Sequence, residues 1–173
     1  MTLLESRRRR GKAALAAGYL AFALATVVAY HSPAEAYELS IYADTPLVFW
    51  VGASFAMLAG LWVGLRADGS LRPVALVLTG LTTLGFAGLP IVRGYHFYGA
   101  GDALTHLGWA REIATGRLEA ASLLYPAVHT VGVVLHDVTG FPLDRTLLLT
   151  VLAFVAVFLL FVPLCARTLG ADS

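Results

Sequence analysis

Apolar residues gather in four long stretches of the chain. Residues 13–30, 46–65, 73–92 and 147–166 contain no charged side chain and run for 18, 20, 20 and 20 residues. About 20 helical residues are enough to cross the hydrocarbon core of a bilayer. The pattern therefore predicts an all-α membrane protein with four transmembrane helices.

Two shorter segments with mixed polarity lie between the third and fourth stretches, in a loop formed by residues 93–146. The first, "DALTHLGWAREIATG" at 102–116, predicts an amphipathic helix, with Gly116 as its C-terminal stop. The second, "YPAVHTVGVVLHDV" at 125–138, begins with Pro126 near a first helical position, is followed by an interruption at Gly140, and is too short to span the bilayer. We expect both helices to lie in the membrane interface.

Composition supports lipid as the main solvent. Only 13% of the 173 residues are charged, whereas soluble domains carry about 25%. Cys165 is the single cysteine, so an intrachain disulfide is excluded. Repeats and low-complexity linkers are absent from the sequence, and we expect residues 1–173 to form a single membrane domain.

The distribution of basic residues predicts how the chain is oriented. With four spans and the N-terminus inside, eight basic residues face the cytoplasm and four face outward, and cytoplasmic loops are normally enriched in arginine and lysine. We therefore expect a multi-pass protein of the cell membrane with both termini cytoplasmic and loop 93–146 outside. The inner group is Arg7, Arg8, Arg9, Arg10, Lys12, Arg66, Arg72 and Arg167, and the outer group is Arg93, Arg111, Arg117 and Arg145.

The N-terminal segment permits a second interpretation. Its basic start and apolar stretch precede Ala34-Glu35-Ala36, which has the pattern of a signal-peptide cleavage site. The apolar stretch is long for a signal peptide, so an uncleaved first span is the preferred interpretation. The arginine run is interpreted as a cytoplasmic topology anchor and not as a nucleic-acid-binding patch.

The long outer loop holds the candidate chemistry. Asp102 and His106 are four residues apart, which is one helical turn, and Trp109 shares their face. Asp102 is placed either to cap the helix or to lie in its first turn. His129 and His136 are interpreted as surface residues of the second amphipathic helix.

The segment "GDALTHLGWAREIATGRL", followed by "LYPAVH", resembles the first external loop of GT-C-type membrane glycosyltransferases. Those enzymes take sugars from polyprenyl-phosphate donors, and their loop carries an essential acidic residue near the start of an interfacial helix. Asp102 occupies that place here. The resemblance covers about residues 93–168. It departs from the family in having three spans before the loop, where members generally have one, and one span after it, where they have many.

The resemblance implies a role for each candidate. Asp102 is expected to be catalytic, as a general base or as a residue that orients the acceptor hydroxyl. His106 is expected to contact Asp102 or a phosphate, Trp109 to stack on the sugar, and Arg111 or Arg117 to bind the lipid phosphate. No metal ligand is assigned, because Asp102 and His106 alone are a weak sign of a metal site; a divalent metal there stays open.

The sequence thus predicts a GT-C-type glycosyltransferase, or an N-terminal fragment of one, that acts on a lipid-linked sugar at the outer face. Its expected partners are membrane lipid, the lipid-linked sugar and a further membrane subunit that supplies missing spans; nucleic acid is not expected. The alternative is a non-catalytic four-span scaffold or assembly subunit, or an inactive truncated product.

Overall fold

The computed structural model describes residues 3–34, 38, 40–67, 69–97 and 101–170. Glu35 and Ala36 of the predicted cleavage site lie outside these residues. The described part of the chain is helical and contains no strand. Its elements are α1 (Leu3–Tyr30), α2 (Ile41–Asp44), α3 (Leu47–Arg66), α4 (Leu71–Val92), α5 (Asp102–Ala114), a 3₁₀ turn (Ala120–Ser122), α6 (Pro126–Thr139) and α7 (Leu143–Thr168).

Four of these helices are long and apolar enough to cross a membrane. They cover Glu5–Tyr30, Leu47–Arg66, Leu71–Val92 and Leu143–Ala166. Each contains one of the four predicted stretches, apart from single-residue differences at the start of α3. The predicted all-α fold is therefore confirmed, and the helices are consistent with a multi-pass membrane protein.

The chain forms two compact units, Met1–Arg93 and Gly94–Ser173. In the first unit α1, α3 and α4 pack against one another. Small residues allow the close approach, as they do between many membrane helices. A Cβ atom added at Gly52 of α3 would lie 2.8 Å from the Ala21 carbonyl oxygen of α1, and one at Gly18 would lie 2.8 Å from a Leu78 methyl group of α4.

The connection after α1 is held by a buried arginine at the end of α4. Arg93 is 2% exposed, and its guanidinium group contacts both carboxylate oxygens of Glu38, at 2.9 and 3.0 Å. It also donates to the Ser32 carbonyl oxygen and to the Thr45 hydroxyl. The sequence indicates only that Arg93 is one of the outer basic residues. In the structure its hydrogen bonds join the connection after α1 to the end of α4.

In the second unit α6 packs on both α5 and α7. Both predicted short helices are present, and each ends at the glycine that the sequence indicates. Gly116 follows α5 with φ +71° and Gly140 follows α6 with φ +72°, a conformation that glycine adopts without strain. Gly132 permits the contact of α6 with α7, because an added Cβ atom would lie 2.7 Å from a Leu147 methyl group.

Candidate functional site

Asp102 lies in the first turn of α5, and Gly101 is the residue that caps the helix. Gly101 has φ +85°, and no side chain caps this N-terminus. The Asp102 side chain is exposed and makes no hydrogen bond or ion pair with any described residue. Of the two predicted placements, capping and first turn, the structure has the second. Asp102 is therefore a carboxylate without a structural partner in the described chain.

A cavity of about 510 Å³ opens beside this carboxylate, entirely within the second unit. Residues of α5, α6, α7 and the segment before α5 surround it. Its walls are mainly apolar, and its ionisable side chains are the Tyr125 phenol, two carboxylates and three imidazoles. The carboxylates and imidazoles are those of Asp102, Asp144, His96, His106 and His129. A mostly apolar cleft with a few convergent polar groups is the usual form of a small-molecule site.

Two histidines in this cavity are hydrogen-bonded to each other. Nδ1 of His106 lies 2.9 Å from Nε2 of His129, and Nδ1 of His129 lies 3.2 Å from the Tyr125 carbonyl oxygen. A carbonyl oxygen only accepts, so Nδ1 of His129 carries a proton. In a neutral His129, Nε2 then accepts, and Nδ1 of His106 is the donor.

With these tautomers, Nε2 of His106 is the ring nitrogen of the pair that has no partner among the described residues. In a neutral imidazole this atom carries a lone pair that can accept a proton. His106 therefore has a ring fixed by His129 and a second nitrogen that can hydrogen-bond to a ligand. Its hydrogen-bond partner is His129, across the helix pair, and not Asp102.

The interpretation of His129 as a surface residue is wrong. The side chain is 1% exposed, because α6 turns it toward α5. Burial lowers the pKa of His129 below its ordinary value, the hydrogen bond to Tyr125 acts in the opposite direction, and the nearby His106 lowers the pKa further. His136 is only partly buried, near the C-terminus of α6, and its Nδ1 lies 2.6 Å from the Phe141 carbonyl oxygen.

Trp109 lies against the histidine pair. Its ring centroid is 5.4 Å from that of His106 and 5.6 Å from that of His129, both in edge-on geometry. Trp109 is not among the residues that line the cavity. The indole therefore contacts the imidazoles, and the structure does not place it on the wall of the cavity, where the predicted stacking on a sugar would require it.

A second polar pair in the cavity was not predicted. Nδ1 of His96 contacts the Asp144 carboxylate at 2.5 Å, and both residues line the cavity. The two are 48 residues apart in sequence, so spacing along the chain carries no signal for their contact. Their inclusion places carboxylates at two positions around the cavity, one from α5 and one from α7.

Arg111 and Arg117 lie elsewhere. They line a separate open cleft, of about 520 Å³, together with Glu112 and His136. The structure thus brings Asp102 and His106 to one cavity, places Trp109 behind it, and puts both arginines in a different cleft. Within the described residues no group of three or more potential ligands is arranged to hold a metal ion.

Comparison with protein-family models, with curated proteins and with solved structures finds no match to this chain. The resemblance of residues 93–168 to GT-C-type enzymes therefore stays a prediction.

Proposed function

We propose that this chain is a membrane glycosyltransferase of GT-C type, or an N-terminal part of one, that transfers a sugar from a polyprenyl-phosphate donor at the outer face of the cell membrane. The observation that carries the proposal is the Asp102 carboxylate, which has no partner among the described residues and lines a cavity that also holds the His106–His129 pair. A carboxylate without a partner in the described chain is available for a substrate.

Transfer requires a base near the acceptor. As the acceptor hydroxyl attacks the anomeric carbon, its proton passes to a side chain, and the bond from that carbon to the lipid phosphate breaks. Asp102 is the proposed base. His106, whose Nε2 is open, is proposed to orient the hydroxyl or to contact the phosphate. His129 and Trp109 then act as positioning residues, because they hold the His106 ring.

The partners of the proposed enzyme follow from this chemistry. They are membrane lipid, the lipid-linked sugar, and a further membrane subunit that contributes additional spans. Arg111 and Arg117 are proposed to bind the lipid phosphate. Because they line a separate cleft and not the cavity of Asp102, this role requires the phosphate to lie in that separate cleft.

The test is sugar transfer in membranes that contain the chain with its native partners. Radiolabelled polyprenyl-phosphate sugars serve as donors, and transfer to endogenous acceptors is measured. Asp102→Asn is expected to lower the rate by about 10²–10⁴-fold, the usual contribution of a general base. Asp137→Asn is the matched control, because Asp137 is an exposed carboxylate on α6 that does not line the cavity. Equal rates for both variants would remove Asp102 from the mechanism and favour the scaffold alternative.

The proposed orientation has its own test. In a Cys165→Ser background, Thr115→Cys after α5 is expected to react with a membrane-impermeant thiol reagent in intact cells, whereas Ser70→Cys between α3 and α4 is expected to react only after lysis. Both side chains are exposed, so access is limited by the membrane alone. Labelling of position 70 in intact cells contradicts the orientation, and with it a site at the outer face.

A further inference from the structure

We infer that the basic end of the first unit is a binding site for the phosphate headgroup of an anionic membrane lipid. A cavity of about 270 Å³ lies where α1 begins, α3 ends and α4 begins. Three arginines line it from two helices: Arg7 and Arg8 of α1, and Arg66 of α3. This site is separate from the Asp102 cavity, and the inference does not depend on the proposed function.

No described residue of the cavity wall neutralises the charge of these arginines. The described residues that line it include no carboxylate, and Arg7, Arg8 and Arg66 form no ion pair with any described residue. Guanidinium groups bind phosphate oxygens through paired, charge-assisted hydrogen bonds. Three such groups on facing helices provide more donors than a single phosphodiester needs, so the cavity suits an anion of that class.

The apolar surroundings indicate that the phosphate belongs to a lipid. The rest of the wall includes Trp62, Val63 and Leu71, and the Trp62 ring centroid lies 6.0 Å from the Arg66 guanidinium carbon. Trp62 also belongs to an exposed apolar stripe along α3 that continues away from the arginines. That stripe consists of Leu58, Leu61, Trp62 and Leu65.

An amphipathic ligand matches both surfaces at once. Its phosphate would contact the arginines while an acyl chain covers the α3 stripe, which a soluble phosphate ion leaves bare. Basic pockets between membrane helices on the cytoplasmic side bind anionic headgroups in this way. The predicted orientation places this end of the unit at the cytoplasmic leaflet, where anionic lipid is abundant.

Trp62 provides a direct reporter. The full chain carrying Trp50→Phe and Trp109→Phe is reconstituted in phosphatidylcholine vesicles with brominated phosphatidylglycerol or brominated phosphatidylcholine, and quenching of Trp62 emission gives the relative affinity of the two lipids. We expect the brominated phosphatidylglycerol to be preferred by about five-fold or more, the effect of one or more surface arginines.

The matched variants separate a site from diffuse surface charge. Arg7→Gln with Arg8→Gln is expected to reduce the preference to nearly one. Arg9→Gln with Arg10→Gln removes the same charge from the same helix at residues that do not line the cavity, and is expected to retain most of the preference. Arg66→Gln, on the opposite helix, should lose about five-fold, and it supplies the test if the α1 variant does not fold.

Two results would overturn the inference. Equal loss in the Arg7/Arg8 and Arg9/Arg10 variants would assign the preference to general surface charge. The second arm adds millimolar inorganic phosphate at constant ionic strength. Loss of the preference through competition by that ion would identify a site for free phosphate, whereas a retained preference supports the lipid.

Discussion

The two units of the chain bury polar groups in opposite ways. In the first unit the guanidinium group of Arg93 is buried and donates hydrogen bonds to Glu38, Ser32 and Thr45. In the second unit His129 is equally buried, but it is hydrogen-bonded to His106, whose Nε2 has no partner among the described residues. A buried polar group whose partners all belong to the packed structure stabilises the fold. A buried polar group that is hydrogen-bonded to a side chain on a cavity wall instead positions an atom that a ligand can reach.

The interiors of the two units differ in the same way. The hydrophobic clusters of the first unit consist of buried leucine, valine, phenylalanine and alanine residues, and its helices approach each other closely at glycine. The second unit encloses a cavity with carboxylates and imidazoles on its walls. We therefore expect substitutions in the first unit to affect folding strongly, and substitutions around the cavity to affect folding weakly and function strongly.

The largest expected effect on stability is at the buried ion pair. Glu38→Gln removes the carboxylate in contact with Arg93, whose side chain is 3% exposed, and loss of one partner of a buried pair costs about 3 kcal/mol or more. Urea unfolding in detergent micelles measures the cost. Glu112→Gln, at an exposed position of α5, is the control and should change stability little. A cost below about 1 kcal/mol, as for surface pairs, would show that the pair contributes like an exposed one.

A smaller loss is expected where α1 and α3 approach each other. Gly52→Val places new atoms against the Ala21 backbone, 2.8 Å from its carbonyl oxygen, and overpacking of this kind costs about 1–3 kcal/mol. Gly80→Val adds the same side chain to α4 where nothing lies within 4 Å. The same unfolding measurement applies, and similar stabilities for the two valine variants would contradict the close packing of α1 and α3.

The four long helices and the two amphipathic helices could be predicted from local patterns, whereas the short α2 and the 3₁₀ turn were not predicted. Uncharged stretches of about 20 residues located the four long helices, and Gly116, Pro126 and Gly140 marked boundaries of α5 and α6, because each acts on the backbone next to it. Such signals need no knowledge of the tertiary structure.

The cavity could be predicted only in part. Asp102 and His106 share a helix, and their common face follows from helical periodicity. The contacts of His106 with His129 and of His96 with Asp144 join residues 23 and 48 positions apart, and they depend on how α6 and α7 pack. The same packing turns His129 inward, which its place on an amphipathic helix did not indicate.

The burial of His129 predicts that the stability of the second unit depends on pH. The pKa of His129 is lowered in the folded protein relative to its usual 6.5, so the unfolded chain binds the proton more readily. The contribution of neutral His129 to the free energy of unfolding is therefore complete above about pH 6.5. It decreases as the pH falls below that value toward the pKa of His129 in the folded protein. The titratable side chains that line the cavity with His129 are His96, Asp102, His106, Tyr125 and Asp144.

Trp109 reports this dependence, because its ring contacts both imidazoles. Thermal unfolding is followed by Trp109 emission in a Trp50→Phe, Trp62→Phe background between pH 8 and pH 5. His129→Gln should be less stable than the parent at pH 8, by about 1 kcal/mol for the weakened hydrogen bonds, and should lose less further stability on acidification. His136→Gln is the control and should keep the parent slope. An unchanged slope in His129→Gln would remove His129 as the source.

The smallest expected effect on stability is at Asp102, and it separates a functional carboxylate from a structural one. Gly101 caps α5 and the Asp102 side chain has no described partner, so its contribution to folding is limited to the interaction of a negative charge with the helix N-terminus. That interaction is worth about 0.3–1 kcal/mol at an exposed site. Asp102→Asn should therefore lower unfolding stability by less than about 1 kcal/mol, the upper bound of that effect, with salt reducing the difference because the charge is exposed. Urea unfolding followed by Trp109 emission, at low and high salt, measures this loss of stability.

A loss of stability well above about 1 kcal/mol, the upper bound for the helix dipole, would mean that the Asp102 carboxylate supports the second unit through other contacts. A loss of sugar transfer in the same variant would then be a consequence of unfolding. A small, salt-sensitive cost combined with a large loss of transfer would leave chemistry at the cavity as the role of Asp102.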